Sequence, residues 1–228
     1  MPTDPRDGEA ATGAVQAVID AIYDSIAAGT LSPGQPIRQE LLADRLGLSR
    51  QPVREALRTL ASDGLLTYRR NAGFCARELS VAEFAQAYRL RQLLENEVLC
   101  DIREVAPAAI TRLREINTAI TAAAARHDLG AFRRLNTDFH FTLFELSGLD
   151  LFVTELRRIW LLTSIYRAIY ASDPRVIDRI IAEHAAIVTA LEAADLPRLV
   201  ALHNQHREGT IEALTDRLRA TETRTATA

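Results

Sequence analysis

The run from Leu46 to Gly64, Leu-Gly-Leu-Ser-Arg-Gln-Pro-Val-Arg-Glu-Ala-Leu-Arg-Thr-Leu-Ala-Ser-Asp-Gly, leaves the chain few choices of local structure. Gly47 can supply the left-handed backbone that a tight turn between two short helices needs. Ser49 suits an N-cap, and Pro52 falls in the first helical turn, where a missing N–H costs nothing. Beyond it Val53, Ala56, Leu57 and Leu60 recur at helical spacing as one apolar face. Arg50, Arg54 and Arg58 recur at i, i+4 and i+8 on a neighbouring face, with Gln51 at its N-terminal edge. A helix held on one side and presenting Arg and Gln on the other suits the major groove of DNA.

An arginine stripe on an amphipathic helix is most often only a solvated face, but two flanking features argue for more. Arg38 to Leu46 reads as a second short helix with Leu41, Leu42 and Leu46 inward, so the unit is a helix-turn-helix. After Gly64, Leu65-Leu66-Thr67-Tyr68 and Phe74-Cys75-Ala76 are strand-like runs around Arg69-Arg70-Asn71-Ala72-Gly73, which makes a two-stranded wing with a basic tip. The expected DNA-facing set is therefore Arg38, Ser49, Arg50, Gln51, Arg54 and Arg58 from the helices, with Arg69, Arg70, Asn71 and Gly73 from the wing.

Ser32-Pro33-Gly34 and the run Leu42-Ala43-Asp44-Arg45-Leu46-Gly47-Leu48-Ser49-Arg50-Gln51-Pro52-Val53-Arg54-Glu55-Ala56-Leu57 resemble the signature of GntR-family bacterial transcription regulators. The rest of the chain resembles the all-helical FCD effector domain of the FadR-type subfamily. The resemblance extends from about Val15 to about Leu218. One departure lies at Glu40, where some relatives place a DNA-contacting Arg; Arg38 is the substitute nearest in sequence.

Charge is consistent with DNA contact through one end only. The whole chain carries a net charge of −3. Ser32 to Glu78, however, holds eight arginines against five acids, a local excess of three. Cys75 and Cys100 are too few for a disulfide scaffold and lack metal-type spacing, and Cys75 is expected in the wing core. The most apolar late stretch, Leu149 to Tyr170, is interrupted by Glu155, Arg157 and Arg158, so no membrane span is expected and the protein reads as cytoplasmic.

The expected organisation is a disordered tail over 1–13, a winged helix-turn-helix over 14–79, a helical effector-binding and dimerisation domain over 80–218, and a polar disordered tail over 219–228. The first helix is expected from near Ala14, with Val15, Val18, Ile19, Ile22 and Ile26 in register. Ser80 with Glu83 is a capping-box signature for the first helix of the second domain, so almost no linker separates the two. From there only helical periodicity remains. Turn signals at Ala106-Pro107, His127-Asp128, Ser147-Gly148, Ser172-Asp173-Pro174 and Asp195-Leu196-Pro197 divide it into six helices near 80–104, 107–125, 129–146, 149–171, 175–193 and 196–218. The fold class is mainly α, a winged helix followed by an antiparallel helical bundle.

Four polar residues interrupt apolar stripes inside that bundle. Asn136 and His140 lie on or beside the stripe of Phe132, Leu135, Phe139 and Leu143. His184 sits among Ile177, Ile180, Ile181, Ile187, Val188 and Leu191, and His206 points with Leu199 and Leu202. A single inward histidine is usually a hydrogen-bonded core residue, but three on different helices need partners, and a divalent metal satisfies several at once. Asn136 and His140 at i and i+4 can both reach one ion. The FCD resemblance implies the same set. Its metal-binding members use Asp or Asn four residues before a His, a His in a Glu-His element, and a His on the last helix. With three imidazoles and a neutral amide oxygen, zinc or nickel is expected. Asp138 is turned off this face, and Glu183, directly before His184, is expected to point away from the site. The last helix offers two candidates; His206 is preferred on family position, while His203 shares the stripe of Val200, Thr210 and Ile211. His127 is read as a solvent or capping residue.

Arg91 shares a face with Phe84, Tyr88 and Val98, and Glu95 one turn later is its local partner. The resemblance implies that this Arg lines the effector cavity, where metal and guanidinium would clamp the carboxylate of a small organic acid. Tyr88, Trp160, Tyr166 and Arg167 are further cavity candidates. Since one winged helix covers only a half-site, a homodimer on a palindromic operator is expected. Surplus apolar residues Leu90, Leu93, Leu99, Phe152 and Leu161 are offered as its surface. The competing reading is a metalloenzyme using the histidine cluster, with the winged helix as a docking module. No general base at useful spacing and no nucleophile motif favours it.

Overall fold

The computed structural model describes residues 5–170 and 174–225, with side chains at all of these except 5–11, 27, 167–170, 213 and 215–225. It divides into two compact units, Met1–Glu78 and Leu79–Ala228.

The first unit comprises α1 (Pro5–Ala27), α2 (Gln39–Leu46), α3 (Arg50–Ser62), β1 (Leu66–Arg69) and β2 (Gly73–Ala76). α3 packs on α1 and α2 because its apolar face is wholly buried: Val53, Ala56, Leu57 and Leu60 are each 0% exposed. Each larger member of that face is worth about 1.5–3 kcal/mol of burial. Gly47 closes α2 in the left-handed region at φ 65, and Leu48 N reaches back to Ala43 O at 3.0 Å. Ser49 takes the extended N-cap backbone, but its side chain makes no capping bond. β1 and β2 form an antiparallel wing in the register Leu66↔Ala76 and Arg69↔Gly73, and Pro36 bridges to Cys75 on its inner edge. Cys75 is buried there.

Two features of this unit differ from expectation. Leu41 is 60% exposed; only Leu42 and Ala43 of α2 are buried, because a helix this short meets its neighbours along a single narrow stripe. α1 begins at Pro5, not near Ala14, at a proline that suits a first helical turn.

The second unit is a bundle of α4 (Val81–Cys100), α5 (Pro107–Ala125), α6 (Leu129–Phe144), α7 (Asp150–Tyr170), α8 (Pro174–Glu192) and α9 (Leu196–Thr225), with a 3-10 turn at Glu145–Ser147. Helix α9 therefore runs past the expected end at 218. The capping box opens α4: Glu83 N donates to Ser80 Oγ at 3.2 Å, and Ser80 N donates to Glu83 Oε2 at 3.0 Å. His127, at φ 56, closes α5, and Asp128 caps α6 by accepting from Ala131 N at 2.9 Å. α4 packs on α7 and α9, α5 on α6 and α8, and α8 on α9. Because α4 is covered on two sides, Leu99 is 0% exposed and leaves the set of surplus surface residues. Leu90 and Leu93 stay exposed, as do Leu151 and Phe152 on α7.

No described helix is long and apolar enough to cross a membrane.

Candidate metal centre and nucleic-acid interface

Helices α6, α8 and α9 bring His140, His184 and His206 together in the bundle core, with one ligand atom from each within 4.8 Å of the others. All three side chains are buried. The ring of His184 lies flat on Phe139, centroids 3.9 Å apart and planes 9° apart. That stacking fixes its ring plane, and neither of its nitrogens has a hydrogen-bond partner among the described residues. Burial pushes the His184 imidazole well below its ordinary pKa, and neighbouring His206 and His203 push the same way. It is therefore neutral, the form that ligates a metal.

Asn136 stands one turn before His140 on α6, and its buried Oδ1 also lacks a partner among the described residues. Asp138 is exposed, off that face. Leaving several imidazole and amide atoms unsatisfied in a core is costly, and an electron-pair acceptor at the centre would satisfy them together. The donor set fits a divalent ion that favours nitrogen ligands. The triad can hold a metal.

Glu183 corrects an expectation. It does not point away: its Oε2 lies 2.7 Å from Nδ1 of His206. Neighbouring residues of α8 thus both serve α9, His184 through the triad and Glu183 through this carboxylate contact. His203 is buried too, with Nε2 3.3 Å from Nδ1 of His140. Its own Nδ1 faces Glu95 Oε2 at 3.7 Å. Burial is the largest cause bringing His203 down to a pKa of about 3, against the pull of Glu95.

Glu95 is the centre of a second buried cluster. Its Oε1 accepts from Arg91 Nε at 2.9 Å, and its Oε2 accepts from Arg207 Nη1 at 2.6 Å. Burial alone would raise its pKa, but Arg91 leads the opposing charges, with Arg207 among them, and holds it at about 2. Arg207 escaped the sequence reading. It adjoins His206 in sequence, but nothing local shows that it reaches α4.

The cavity candidates separate. Arg91 stacks over Trp160 at 3.9 Å and Tyr88 at 4.7 Å, and the Trp160 ring lies 4.8 Å from that of His140, so Trp160 touches both the arginine and the triad. Tyr166 is buried, but its hydroxyl is taken by the backbone of Leu79: it accepts from Leu79 N and donates to Leu79 O at 3.4 Å. It latches the start of the bundle instead of offering a polar group to the triad. The side chain of Arg167 lies outside the described residues.

In the winged unit, Arg38, Ser49, Arg50, Gln51, Arg54, Arg58, Arg69, Arg70 and Asn71 are all exposed, and Gly73 is half-buried. Acids hold two of the arginines: Glu40 Oε1 meets Arg50 Nη2 at 3.0 Å, and Glu78 Oε2 meets Arg69 Nη2 at 3.0 Å. Exposed pairs like these are worth about 0–1 kcal/mol and yield readily to a phosphate or base edge.

Comparison with known proteins gives the same two parts. Residues 14–75 match the bacterial regulatory proteins of the gntR family, and residues 86–209 match the FCD domain. The probable D-xylose utilization operon transcriptional repressor of Paenarthrobacter nicotinovorans is 30% identical over 178 residues, covering 78% of this chain and 78% of that protein. The HTH-type transcriptional repressor RspR of Escherichia coli (strain K12) is 26% identical over 191 residues, 81% of each chain. The solved structure of E. coli McbR/YncC shares the fold, with a TM-score of 0.83 over 90% of this chain and 98% of that one at 21% identity. The family is one of transcription regulators, so the metalloenzyme reading falls. With an N-terminal winged helix-turn-helix followed in sequence by an FCD bundle, the chain belongs to the gntR family of DNA-binding transcription regulators, in its FadR-type branch.

Proposed function

We propose that this regulator binds a palindromic operator as a homodimer in the cytoplasm and answers to a small organic acid bound beside a divalent metal, zinc or nickel. Asn136, His140, His184 and His206 would hold the ion, which when bound supplies a Lewis-acidic anchor for one end of the effector carboxylate. Arg91, between Tyr88 and Trp160, would take the carboxylate's other side.

One observation carries the acidic effector. Arg91 and Arg207 are 3% and 2% exposed, and among the described residues they share a single carboxylate, that of Glu95. The adjoining histidines His184 and His203 are held neutral. The core beside the triad therefore carries one guanidinium charge more than it neutralises, a costly state that an anion relieves. An acid that binds there and favours one arrangement of the bundle needs a coupling of only about 1–3 kcal/mol to alter operator affinity usefully.

On the DNA side, Arg50 and Arg54 would read base edges in the major groove, while Arg69 and Arg70 hold backbone or minor groove. Leu90 and Leu93 of α4 and Leu151 and Phe152 of α7 are exposed and would supply the apolar contacts of the dimer.

The test is His184→Ala, assayed for metal content, operator binding and response to a panel of organic acids. The expected variant is a folded dimer that binds operator, holds no metal and ignores effector. A variant that retains stoichiometric metal and responds normally would make the histidines core packing and place the sensor elsewhere.

A further inference from the structure

We infer that Arg179, Glu183 and Gly209 form a positioning device for His206, which fixes the ring tautomer and aims Nε2 at the triad. The inference deepens the metal reading above and rests on it for its affinity arm.

The chain of contacts starts at the ring. Glu183 Oε2 lies 2.7 Å from His206 Nδ1. A carboxylate only accepts hydrogen bonds, so Nδ1 carries the proton and the lone pair is left on Nε2. An imidazole without such a partner favours the opposite tautomer, with the proton on Nε2 and no lone pair there to offer an ion. The second carboxylate oxygen, Oε1, faces Arg179 Nε at 3.7 Å, one turn earlier on α8. Glu183 is only 20% exposed, which strengthens both contacts relative to a free surface pair.

Arg179 is itself anchored on α9. Its Nη2 donates to the carbonyl of Gly209 at 3.2 Å. A Cβ on residue 209 would stand 2.5 Å from Arg179 Nη1 and 3.0 Å from Cζ, so any other residue there makes the guanidinium shift from the position it holds. Glycine inside a helix is otherwise unfavourable. At 209 it leaves the space that the Arg179 guanidinium occupies. Gly209 follows His206 by three residues, so the guanidinium lies one turn from the ring whose partner it steadies.

Glu183→Leu and Gly209→Ala test the device. Each is read by zinc competition titration, and by the 15N shifts of the His206 ring in metal-free protein at a pH where imidazole is neutral. The wild-type ring is expected with its proton on Nδ1. In Glu183→Leu no acceptor faces Nδ1, so the ring returns to its intrinsic preference for the proton on Nε2, and zinc binding weakens about 10–100-fold. Gly209→Ala is expected to weaken zinc binding by a smaller factor without lowering the melting temperature, because alanine favours the helix while displacing Arg179. Adding Arg179→Ala to Gly209→Ala should weaken zinc binding no further. An unchanged tautomer in Glu183→Leu, or zinc affinity equal to wild type in both single variants, overturns the inference. If the wild-type protein takes up no zinc, the metal reading fails, and the tautomer comparison alone decides whether Glu183 orients His206.

Discussion

Arg207 Nη1 donates to Glu95 Oε2 at 2.6 Å, tying α9 to α4 through a carboxylate that is 0% exposed. Removing the acid would leave two buried guanidiniums without a counter-charge. Glu95→Gln is therefore expected to destabilise the protein by about 3–5 kcal/mol in urea unfolding. Arg207→Met keeps the Arg91–Glu95 pair and should cost clearly less. Equal losses would show that the two arginines do not share the acid.

Acid should weaken the metal-free protein in two stages. His184 and His203 have folded pKa values below the ordinary 6.5 of a free imidazole, His203 at about 3. The unfolded chain thus binds protons that the folded one refuses, and stability falls as pH drops below 6.5. Each histidine contributes a slope of about 1.4 kcal/mol per pH unit. Glu95, lowered from 4.5 to about 2, adds a further loss as pH falls from 4.5 towards 2. Urea midpoints across this range check the sign; stability that rises on acidification from neutral pH would contradict the buried, neutral histidines.

Arg54 is exposed on α3 beside the apolar face that fixes the helix, and guanine is its natural bidentate partner. Arg54→Ala is expected to cost about 1–3 kcal/mol of operator affinity and to relax preference at one position per half-site. A uniform loss on every sequence, with a shallower salt dependence, would make it a phosphate contact.

Leu93 is 62% exposed on α4, one turn from Leu90, and nothing within the described residues explains two such side chains together. In a two-fold dimer a substitution counts twice. Leu93→Glu should weaken association by at least ~2 kcal/mol, seen as monomer in sedimentation of the full chain. It should weaken binding to a palindrome far more than to an isolated half-site. An unchanged dimer would put the interface elsewhere.

What the sequence disclosed was local. The α3 face, the wing and the Ser80–Glu83 box depend on residues a few positions apart, where period and capping chemistry speak directly. The histidines were legible because a polar residue stands out on an isoleucine or phenylalanine stripe. Glu183–His206 and Glu95–Arg207 join residues far apart on different helices, so no spacing encodes them. Periodicity also marks which residues form a stripe without saying how many neighbours cover the helix. Hence Leu99 proved buried, since α4 meets both α7 and α9, and Leu41 proved exposed, since α2 is covered along one line.

The chain contains one tryptophan, and it stands against both the buried arginine and the histidine triad: Trp160 is 3.9 Å from the Arg91 guanidinium and 4.8 Å from the His140 ring. Indole emission depends on the charges and polarity around it. A bound acid that draws on Arg91, or an ion that draws on His140, changes those surroundings directly. The protein thus carries its own optical probe, and unlabelled fluorescence would follow an ion or acid entering the proposed site while a labelled operator would report separately on the DNA.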